Sequence, residues 1–531
     1  MHQKLFSALT SHKGTAALDG GLKISFDTLN SDLKVRISKL SHDLCDGTNL
    51  VILLADNSYE TLLNYLSLIN LKIKFILLQS QSDTEEVLSP FVKELCSTYR
   101  ISFVLRKEAL YSADKTDDVN GSLQNTYIYH QEIDDNIALL LTTSGSVGNS
   151  KLVKITYKNL YENARSIKEY LELTENDRAI TSLPFNYSYG LSVINSLLMS
   201  GGSLCFTNAT MMQKEFWDLM ELDITHLAGV PFSYAMLERL RFRRKMQKYP
   251  SLRLLTQAGG HLDPAIVKEF ALSADALGKR FYVMYGQTEA TARMSYLPYN
   301  LAAEHPDSIG IAIPRGKFFI LKEDGSLTDS INTEGEIVYS GPNVMAGYAQ
   351  CLDDLKALDT PLYLKTGDLG YFDDNGLLYI SGRKKRIIKI TGHRLSLDSI
   401  EKDLKEKGCD TVAVGQDEQL VILLKSGEEP LVEEYINNVI KIYKSYEIKR
   451  VDDYIYTSNG KIDYKSLSKM YVASKSLTLP VLFCLYCLTC SQFCTVSFTS
   501  LGSYGRFVFK WYALSREGLF YFKRREDRAY D

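Results

Sequence analysis

Residues 137–151 read IALLLTTSGSVGNSK, an apolar run that breaks into hydroxyls, two glycines and a lysine. The apolar half predicts a buried strand, and the polar half predicts a loop that can hold phosphate. In such a loop the glycines let backbone N–H groups approach the anion, the hydroxyls add donors and Lys151 adds charge. The spacing is not that of a Walker A loop, which requires G-x-x-x-x-G-K-[ST]. Taken alone, a Gly/Ser-rich turn can equally be a plain connection.

The first half of the chain alternates strand-like and helix-like segments. Residues 50–55 and 75–78 are short apolar runs, and apolar residues recur at helical spacing between them. The same alternation returns with a strand pattern at 151–156 and a helical pattern after it. Repeated strand–helix–strand units predict a largely parallel sheet covered by helices.

Further along the chain the pattern changes twice. Between about 316 and 382 it predicts short hairpins, with a two-strand turn at Asp374-Asn375-Gly376. A smaller unit follows from Arg386, with strand patterns at 386–390, 411–414, 420–424 and 454–456 and helical patterns at 397–407 and 431–444. The predicted fold class is therefore α/β. A large N-terminal domain of βαβ-type sheets flanked by helices, plus a small β-hairpin or barrel part, precedes a small α+β C-terminal domain.

The composition argues against several classes of function. The 531 residues carry 61 basic and 64 acidic side chains, so the charge balance does not favour binding to nucleic acid or to an anionic membrane. Residues 1–14 lack the apolar core of a secretory signal. Five cysteines stand singly, as expected in a reducing cytosol: Cys45, Cys96, Cys205, Cys351 and Cys409. These features predict a cytoplasmic protein.

Four further segments follow the phosphate-loop candidate in a fixed order. They read YGQTE at 285–289, TGD at 366–368, GRKKRIIKITG at 382–392 and NGK at 459–461. In this order and spacing the set resembles the adenylate-forming superfamily, which comprises acyl-CoA synthetases, adenylation domains of peptide synthetases and luciferases. The resemblance extends from about Ser25 to about Met470. It implies an N-terminal AMP-binding adenylation domain at 1–383 and a mobile C-terminal domain at 384–472, followed by an atypical apolar, Cys-rich tail at 473–531.

The resemblance implies a reaction in two steps. A carboxylic acid is joined to the α-phosphate of ATP with release of pyrophosphate, and the acyl group then passes to the thiol of CoA or of a phosphopantetheine arm. The loop suits the β- and γ-phosphates through Thr143, Ser144, Gly145, Ser146, Gly148 and Lys151. Glu289 suits a Mg2+ that bridges phosphate oxygens, and Thr288 can donate to the α-phosphate. Without this resemblance, Glu289 would be interpreted as an exposed carboxylate at the end of a strand.

A second set of residues is expected to hold the nucleoside: Tyr285, Gly286, Gln287, Gly259, Gly260, Asp368 and Arg383. The family stacks an aromatic ring on adenine at the position of Tyr285, and the two glycines 259 and 260 match the stretch that lines the adenine. Asp368 can accept both ribose hydroxyls because a carboxylate has two oxygens, and Arg383 matches the arginine used on the same ribose. Without this resemblance, Asp368 would be interpreted as the first residue of an ordinary Asx turn.

Lys461 is the residue expected to matter most for rate. A cation that reaches both the substrate carboxylate and the α-phosphate offsets their repulsion and orients them. In the family the C-terminal domain rotates about a hinge, here Lys384, so that Lys461 serves the first step and the strand and loop at 386–392 serve the second. Such closure protects the acyl-adenylate from water. A solvated surface lysine is the alternative interpretation of Lys461.

The sequence also departs from the family pattern. The phosphate loop has Val147, Ser150 and Leu152 where threonine, proline and glycine are usual. The loss of one hydroxyl is expected to weaken the grip on phosphate by about 1–3 kcal/mol, roughly one hydrogen bond.

The aromatic segment at 184–191 matches the family's segment at the acyl pocket, in which amino-acid adenylation domains carry an aspartate that holds the α-ammonium group. Asn186 and Tyr187 cannot supply that charge, so the resemblance favours a plain carboxylic acid over an α-amino acid. The acyl group and the acceptor stay open. The alternatives to an acyl-CoA synthetase are an enzyme that loads an acyl carrier protein and a degenerate nucleotide-binding protein.

The tail at 473–531 does not follow the pattern before it. Residues 477–505 carry no charged side chain, long enough to consider a membrane span, but Pro480 and many hydroxyl residues dilute the segment. Its cysteines have the spacing of a ferredoxin cluster without the second run or the following proline: Cys484, Cys487, Cys490 and Cys494. The favoured interpretation is an appended or out-of-frame tail that makes no membrane contact and is not used by the enzyme.

A chain truncated near Lys475 is accordingly expected to fold, to stay soluble and to keep its adenylation activity. The exposed apolar residues Phe483, Leu485 and Phe493 would reduce solubility rather than form a core. The check is to compare activity and thermal midpoint between the truncated and the full chain. A large loss of either, or membrane association that disappears with the tail, contradicts this expectation.

Overall fold

The computed structural model describes residues 7–44, 50–80, 87–113, 132–142, 151–390, 393–425, 429–442, 445–456, 462–472, 511–515 and 518–522. The chain divides into two compact units. The first comprises Met1–Ile387, Arg394–Asp403 and Tyr456–Asp463, and the second comprises Ile388–His393, Leu404–Ile455 and Tyr464–Asp531.

The strands are, in chain order, β1 (Thr15–Asp19), β2 (Leu22–Ser25), β3 (Leu50–Ala55), β4 (Lys74–Gln79), β5 (Phe103–Arg106), β6 (Ala109–Ser112), β7 (Ile137–Thr142), β8 (Leu152–Thr156), β9 (Arg178–Ile180), β10 (Ser203–Cys205), β11 (His226–Gly229), β12 (Leu254–Gln257), β13 (Arg280–Tyr285), β14 (Ser295–Leu297), β15 (Ser308–Ala312), β16 (Lys317–Leu321), β17 (Leu327–Thr328), β18 (Gly335–Ser340), β19 (Tyr348–Ala349), β20 (Leu364–Phe372), β21 (Leu378–Arg383), β22 (Ile387–Ile390), β23 (His393–Ser396), β24 (Thr411–Gln416), β25 (Gln419–Leu424), β26 (Tyr446–Arg450), β27 (Trp511–Ser515) and β28 (Gly518–Phe522). The α-helices are α1 (Phe26–Asp43), α2 (Tyr59–Leu71), α3 (Pro90–Tyr99), α4 (Tyr157–Tyr170), α5 (Ser188–Ser200), α6 (Lys214–Met220), α7 (Pro231–Arg239), α8 (Phe242–Lys245), α9 (Pro264–Asp275), α10 (Leu397–Glu406), α11 (Glu429–Tyr435) and α12 (Tyr464–Tyr471).

One sheet of the first unit has the strand order β19-β8-β7-β4-β3-β5-β6. Strands β3, β4, β5 and β7 are parallel to their neighbours within this group, while β6, β8 and β19 pair antiparallel at the two edges. Every residue of β3 is buried, as expected of a parallel strand covered on both faces. The predicted alternation of strands and helices is confirmed here.

The second sheet of the first unit has the order β17-β16-β18-β20-β21-β15-β14-β13-β12-β11-β9-β10-β1-β2. Its middle strands β10, β9, β11, β12 and β13 are parallel, and from β14 onward the pairing is antiparallel. Strands β16, β17, β18, β20 and β21 of this antiparallel part lie in the region of the predicted hairpins at 316–382. The turn at Asp373–Gly376 is closed by a hydrogen bond from the Gly376 N–H to the Asp373 carbonyl.

The helices begin where the sequence offers capping side chains. The Ser58 hydroxyl accepts a hydrogen bond from the Thr61 N–H at the start of α2. Helix α4 begins with a capping box, in which Thr156 and Asn159 each accept a hydrogen bond from the other's backbone N–H. Its buried face carries Leu160, Ala164 and Ile167 against the sheet.

The second unit contains a sheet in the order β24-β25-β26, in which the first pair is antiparallel and the second parallel. The strand patterns at 411–414 and 420–424 are confirmed, but the third strand lies at Tyr446–Arg450 rather than at 454–456. Tyr454 is buried instead, and its hydroxyl donates to the Asp410 carbonyl. The predicted helix at 431–444 is shorter: α11 ends at Tyr435 and a π-helical turn follows at Ile436–Ile440.

Two further observations concern the tail and membranes. Strands β27 and β28 form an antiparallel pair within the tail, while its cysteine run lies outside the described residues. Across the described parts of the chain, no helix combines the length and the apolar character needed to cross a membrane.

Candidate active site

The Tyr285–Glu289 motif forms a tight turn directly after β13. A Cβ on Gly286 would lie 1.7 Å from the Ala292 carbonyl oxygen, so only glycine fits at this position. The chain returns through Thr291, which has a φ of +62°, and the Met294 N–H closes the turn on the Tyr285 carbonyl at 2.9 Å. The sequence therefore imposes a sharp reversal that presents residues 287–290 at the end of the strand.

Asn343 holds this turn in place from the outside. Its side-chain amide donates to the carbonyls of Ala290 and Arg293 at 2.8 and 2.9 Å, and its backbone carbonyl accepts from the Thr291 hydroxyl. The Met345 N–H donates to the Glu289 carbonyl at 2.8 Å. With its backbone fixed in this way, Glu289 has little freedom to move away from the end of β13.

The Glu289 carboxylate has a partner that the sequence did not indicate. The Tyr348 hydroxyl, at the start of β19, donates to Glu289 Oε1 at 2.8 Å. Burial is the main cause that raises the pKa of this hydroxyl, with Glu289 adding to it, so the phenol remains a donor. Lys151 Nζ lies 5.4 Å from the centre of the Tyr348 ring, within the range of a cation–π contact. Tyr348 thus lies next to two predicted site residues.

Asp368 is a buried carboxylate with a side-chain partner on each oxygen. It lies on β20 in register with Arg383 on β21, and Arg383 Nε donates to Asp368 Oδ1 at 3.1 Å. The Tyr285 hydroxyl donates to Asp368 Oδ2 at 2.5 Å. Asp368 is 7% exposed. Burial raises its pKa, while Arg383 and Tyr285 act in the opposite direction.

Gly259 and Gly260 follow β12, which is parallel to β13 and directly beside it. The carboxyl ends of parallel strands meet at one edge of a sheet, which is where open α/β sheets bind ligands. Gly259 has a φ of +90°, and a Cβ there would lie 2.5 Å from the Tyr187 hydroxyl oxygen. Glycine at this position therefore allows Tyr187 to approach the backbone next to the Tyr285 turn.

The aromatic segment at 184–191 lies along the same edge. The Ser188 hydroxyl is 3.5 Å from the Thr288 hydroxyl, which joins this segment to the motif after β13. The Tyr189 hydroxyl donates to the Thr256 carbonyl at 3.0 Å. Burial raises the pKa of Tyr187 to about 12, so this side chain is a neutral phenol at physiological pH. The segment offers aromatic surface and hydroxyls but no carboxylate.

Some of the predicted residues lie outside the part that the structure describes. These are Thr143, Ser144, Gly145, Ser146 and Gly148 of the loop and Lys461 near the end of the catalytic set. The strands on either side of the loop are described: β7 and β8 pair antiparallel, with Thr142 opposite Leu152. The two ends of the loop are therefore adjacent, and the roles of its residues stay predictions.

The sequence profile of the AMP-binding enzyme family matches residues 50–349, which is more than half of the chain. The chain belongs to this family of AMP-binding enzymes. The family's region includes the loop after β7 and the Tyr285–Glu289 turn, whereas Asp368, Arg383 and Lys461 lie beyond it.

Individual relatives of this AMP-binding enzyme are similar over different shares of their length. Oxalate–CoA ligase of Arabidopsis thaliana is 31% identical over 266 residues, 49% of this chain and 51% of that protein. The chain thus matches about half the length of this relative. Long-chain-fatty-acid–CoA ligase of Yersinia pestis is 24% identical over 457 residues, 82% of this chain and 79% of that protein.

A solved structure has the same fold. The o-succinylbenzoate CoA synthetase of Bacillus subtilis, in complex with its acyl-adenylate intermediate, matches with a TM-score of 0.69 and 20% identity. The match covers 87% of this chain and 97% of that one. The predicted α/β class, with a large N-terminal part and a small C-terminal sheet, is confirmed by this likeness.

Proposed function

We propose that this AMP-binding enzyme activates a carboxylic acid with ATP to form acyl-AMP, releases pyrophosphate and transfers the acyl group to a thiol. It would then be an AMP-forming acid–thiol ligase of the acyl-CoA synthetase type. The observation that carries the proposal is the buried Asp368 carboxylate, held between the Tyr285 hydroxyl and Arg383 Nε. This carboxylate lies beside the turn that presents Glu289.

Asp368 fits the ribose of ATP for a chemical reason. A carboxylate that must accept two vicinal hydroxyls has to be ionised and fixed in orientation. Arg383 and Tyr285 act against the effect of burial and favour the ionised form, and each of them holds one of the two oxygens. Each oxygen keeps a lone pair for a ribose hydroxyl. An ordinary Asx turn would not require a buried tyrosine and an arginine around its carboxylate.

Glu289 fits a Mg2+ that arrives with ATP. Mg2+ takes one or two carboxylates and completes its octahedral shell with phosphate oxygens and water. The described residues contain no group of three or more histidine, cysteine, aspartate or glutamate side chains that could hold a metal by themselves. Glu289 would therefore contribute one carboxylate to a metal ion that is held mainly by the phosphates of ATP. When bound, the metal ion would neutralise negative charge on those phosphates. Tyr348 would fix the rotamer of Glu289 for this contact.

The remaining roles follow from charge and position. In the first step a substrate carboxylate oxygen attacks the α-phosphorus and pyrophosphate leaves, with Lys461 offsetting the repulsion between the two anions. Thr288 would donate to the α-phosphate, and the loop at 143–151 would hold the β- and γ-phosphates. In the second step a thiolate attacks the acyl carbon and AMP leaves. Tyr285, Gly259 and Gly260 would line the adenine.

A division into functional domains at 1–383 and 384–472 belongs to the same proposal. Lys384–Arg386 form a short 3-10 helix between β21 and β22. This helix lies next to Ile387, the residue at which the first segment of the first unit ends. Lys384 Nζ is 2.8 Å from Glu336 Oε2, a carboxylate whose side chain is 8% exposed. A hinge consists of a few residues whose backbone torsion angles change when a domain rotates. The three residues between β21 and β22 would serve as such a hinge.

The printed names of the relatives support a plain carboxylic acid as substrate and CoA as acceptor. Oxalate and a long-chain fatty acid are both carboxylic acids, and both relatives are named as CoA ligases. The decisive experiment measures pyrophosphate release with ATP and Mg2+ against a panel of carboxylic acids, with CoA, with a phosphopantetheinylated carrier protein, or with neither. If a thioester forms only on the carrier protein, the enzyme is one that loads a carrier protein. If the protein binds ATP but releases pyrophosphate with none of the acids, the proposal is overturned.

Removing the Tyr348 hydroxyl (Tyr348→Phe) is expected to lower kcat/KM for adenylate formation roughly tenfold, because one charge-assisted hydrogen bond of about 1.5 kcal/mol is lost. The requirement for Mg2+ should shift to higher concentration, since Glu289 then samples other rotamers. The measurement is the pyrophosphate release rate as a function of Mg2+ concentration. The control is Tyr299→Phe, which makes the same change at an exposed tyrosine elsewhere in the first unit. Identical Mg2+ curves for the wild type and Tyr348→Phe would contradict the role of Tyr348.

A further inference from the structure

Arg293 is a buried cation four residues beyond Glu289. Its side chain is 1% exposed and is among the largest fully buried side chains in the described part of the chain. Its backbone is fixed, because its carbonyl accepts hydrogen bonds from the side-chain amides of Asn163 and Asn343 at 3.1 and 2.9 Å. The position of this guanidinium is therefore set by the same turn that presents Glu289.

The neighbours of Arg293 are polar or aromatic but uncharged. Nη1 donates to the Tyr170 hydroxyl at 2.9 Å and lies 2.8 Å from Met284 Sδ. The guanidinium carbon is 4.6 Å from the centre of the Tyr189 ring. Nε and Nη2 are buried and find no hydrogen-bond partner among the residues that the structure describes. Among the described residues, no carboxylate lies within ion-pair distance of this group.

A buried guanidinium without a counter-ion is an unusual feature of a folded protein. Removing a charge from water is costly unless it is paired, and arginine cannot avoid this cost by losing its proton. The nearby imidazole does not share the charge: burial first, with Arg293 contributing, lowers the pKa of His226 to about 3. Arg293 is thus an isolated positive charge, and its two unsatisfied nitrogens require an acceptor.

The two unsatisfied nitrogens are the ones that best match a carboxylate. The Nε–H and one Nη2–H bond point in the same direction and form the side-on fork that binds both oxygens of a carboxylate. Nη1, which is outside this fork, is the nitrogen already used by Tyr170 and Met284. The protein contacts therefore fix the guanidinium and leave its carboxylate-binding edge free.

Arg293 also borders the aromatic segment at 184–191, which lies beside Thr288 of the turn after β13 and is therefore placed to line the pocket of the acid substrate. The Tyr189 ring stacked on it belongs to the stretch at 184–191, and the adjacent Tyr187 lies with its ring centre 6.3 Å from that of Tyr189. The positive charge of Arg293 acts on Tyr187 as well, opposing the effect of burial on its pKa. The four residues from Glu289 to Arg293 can span at most about 14 Å.

We infer that Arg293 binds a second anionic group of the acid substrate, so that this enzyme activates a short dicarboxylic acid. The inference rests on the proposed function, because the first carboxylate is the one that becomes adenylated. The distal carboxylate would accept hydrogen bonds from Nε and Nη2 and neutralise the buried charge. Both nitrogens are covered by protein atoms, so neighbouring side chains rearrange when the diacid enters.

The test compares acids of equal length that differ only in the distal group: butanoate with succinate, and pentanoate with glutarate. Pyrophosphate release should favour the diacid about 10⁴-fold in kcat/KM for the wild type, since a site built to pair a polar group rejects an analogue without that group by roughly this factor. In Arg293→Met the ratio of diacid to monoacid should fall by at least that factor, and in Arg293→Lys it should fall less. Arg280→Met removes an arginine stacked on Tyr299 in the same sheet and should leave the ratio unchanged.

Thermal unfolding separates a binding role from a structural one. Diacid should raise the thermal midpoint of the wild type and not that of Arg293→Met, since a ligand stabilises only the form that binds it. Without ligand, Arg293→Met should be at least as stable as the wild type, because replacing an unpaired buried charge by an apolar side chain is neutral or favourable.

Two outcomes would overturn the inference. One is equal use of mono- and diacids by the wild type, which leaves the proposed ligase activity standing. The other is an Arg293→Met variant that is less stable and loses both acids equally, which assigns Arg293 a purely structural role. Absence of pyrophosphate release with every acid, together with an unchanged thermal midpoint in diacid, would instead reject the proposed function itself.

Discussion

Replacing Asp368 by asparagine is expected to lower kcat/KM for ATP about 100-fold, because two charge-assisted hydrogen bonds to ribose become weak neutral ones at a total cost of about 3 kcal/mol. The substitution keeps the shape of the side chain. In the wild type, the Tyr285 hydroxyl and Arg383 Nε donate to the two carboxylate oxygens. In the variant the side-chain NH2 group replaces one of these oxygens, so that it faces one of the two donors and cannot accept its hydrogen bond. The measurements are the ATP dependence of pyrophosphate release and the affinity for AMP, determined by calorimetry.

Asp374→Asn provides the matched control for this substitution. Asp374 lies in the exposed turn between β20 and β21, so the same chemical change is made in the same hairpin away from the buried carboxylate. Its ATP dependence should equal that of the wild type. An Asp368→Asn variant that binds AMP with wild-type affinity would show that the carboxylate serves only the fold, and a lowered thermal midpoint with normal AMP affinity would point the same way.

The fold could be predicted from the sequence wherever the pattern was strongly periodic. The run at 50–55 and the run at 137–141 are continuous and apolar, and both became buried strands of a largely parallel sheet. The turn at 374–376 was equally clear, because Asn-Gly between two apolar segments permits few other structures. The third strand of the small unit was missed because Tyr446–Arg450 reads YEIKR and is only half buried along its length.

The contacts around the candidate site were harder to predict. The hydrogen bond between Tyr285 and Asp368 joins residues 83 positions apart, and the one between Tyr348 and Glu289 joins residues 59 positions apart. Each depends on which strands become neighbours at one edge of a sheet, which no local pattern specifies. The order and spacing of the sequence motifs indicated roles for the residues at 285, 289 and 368, but no motif included Tyr348.

Arg293 illustrates a further limit of sequence reasoning. Next to Met294 and Ser295 at the start of a short strand, an arginine would be interpreted as a solvated surface residue, as most arginines are. Only the packing of Tyr189, Tyr170 and Met284 around it reveals a buried, unpaired charge. The absence of a partner is a property of three-dimensional neighbours, so no single-sequence pattern could have identified this residue as a candidate for binding.

Replacing Lys461 by alanine is expected to slow acyl-AMP formation by about 100-fold or more, the effect of losing a preorganised cation at a transition state that brings two anions together. Affinity for ATP should change little, because the ribose and adenine contacts proposed here involve Asp368, Arg383 and Tyr285. Thioester formation from supplied acyl-AMP should continue, since the family uses the other orientation of the C-terminal domain for that step. Single-turnover rates of the two half-reactions, measured separately, give the answer.

The comparison of half-reactions makes this prediction specific to Lys461. Lys469→Ala removes an exposed lysine from α12 and should leave both half-reactions unchanged. Lys461→Arg keeps the charge but alters its reach and hydrogen-bond geometry, so it should recover only part of the adenylation rate. If Lys461→Ala instead slowed both half-reactions equally, the loss would be one of folding or nucleotide binding. A wild-type rate of adenylation in that variant would mean that another cation balances the charge between the carboxylate and the α-phosphate.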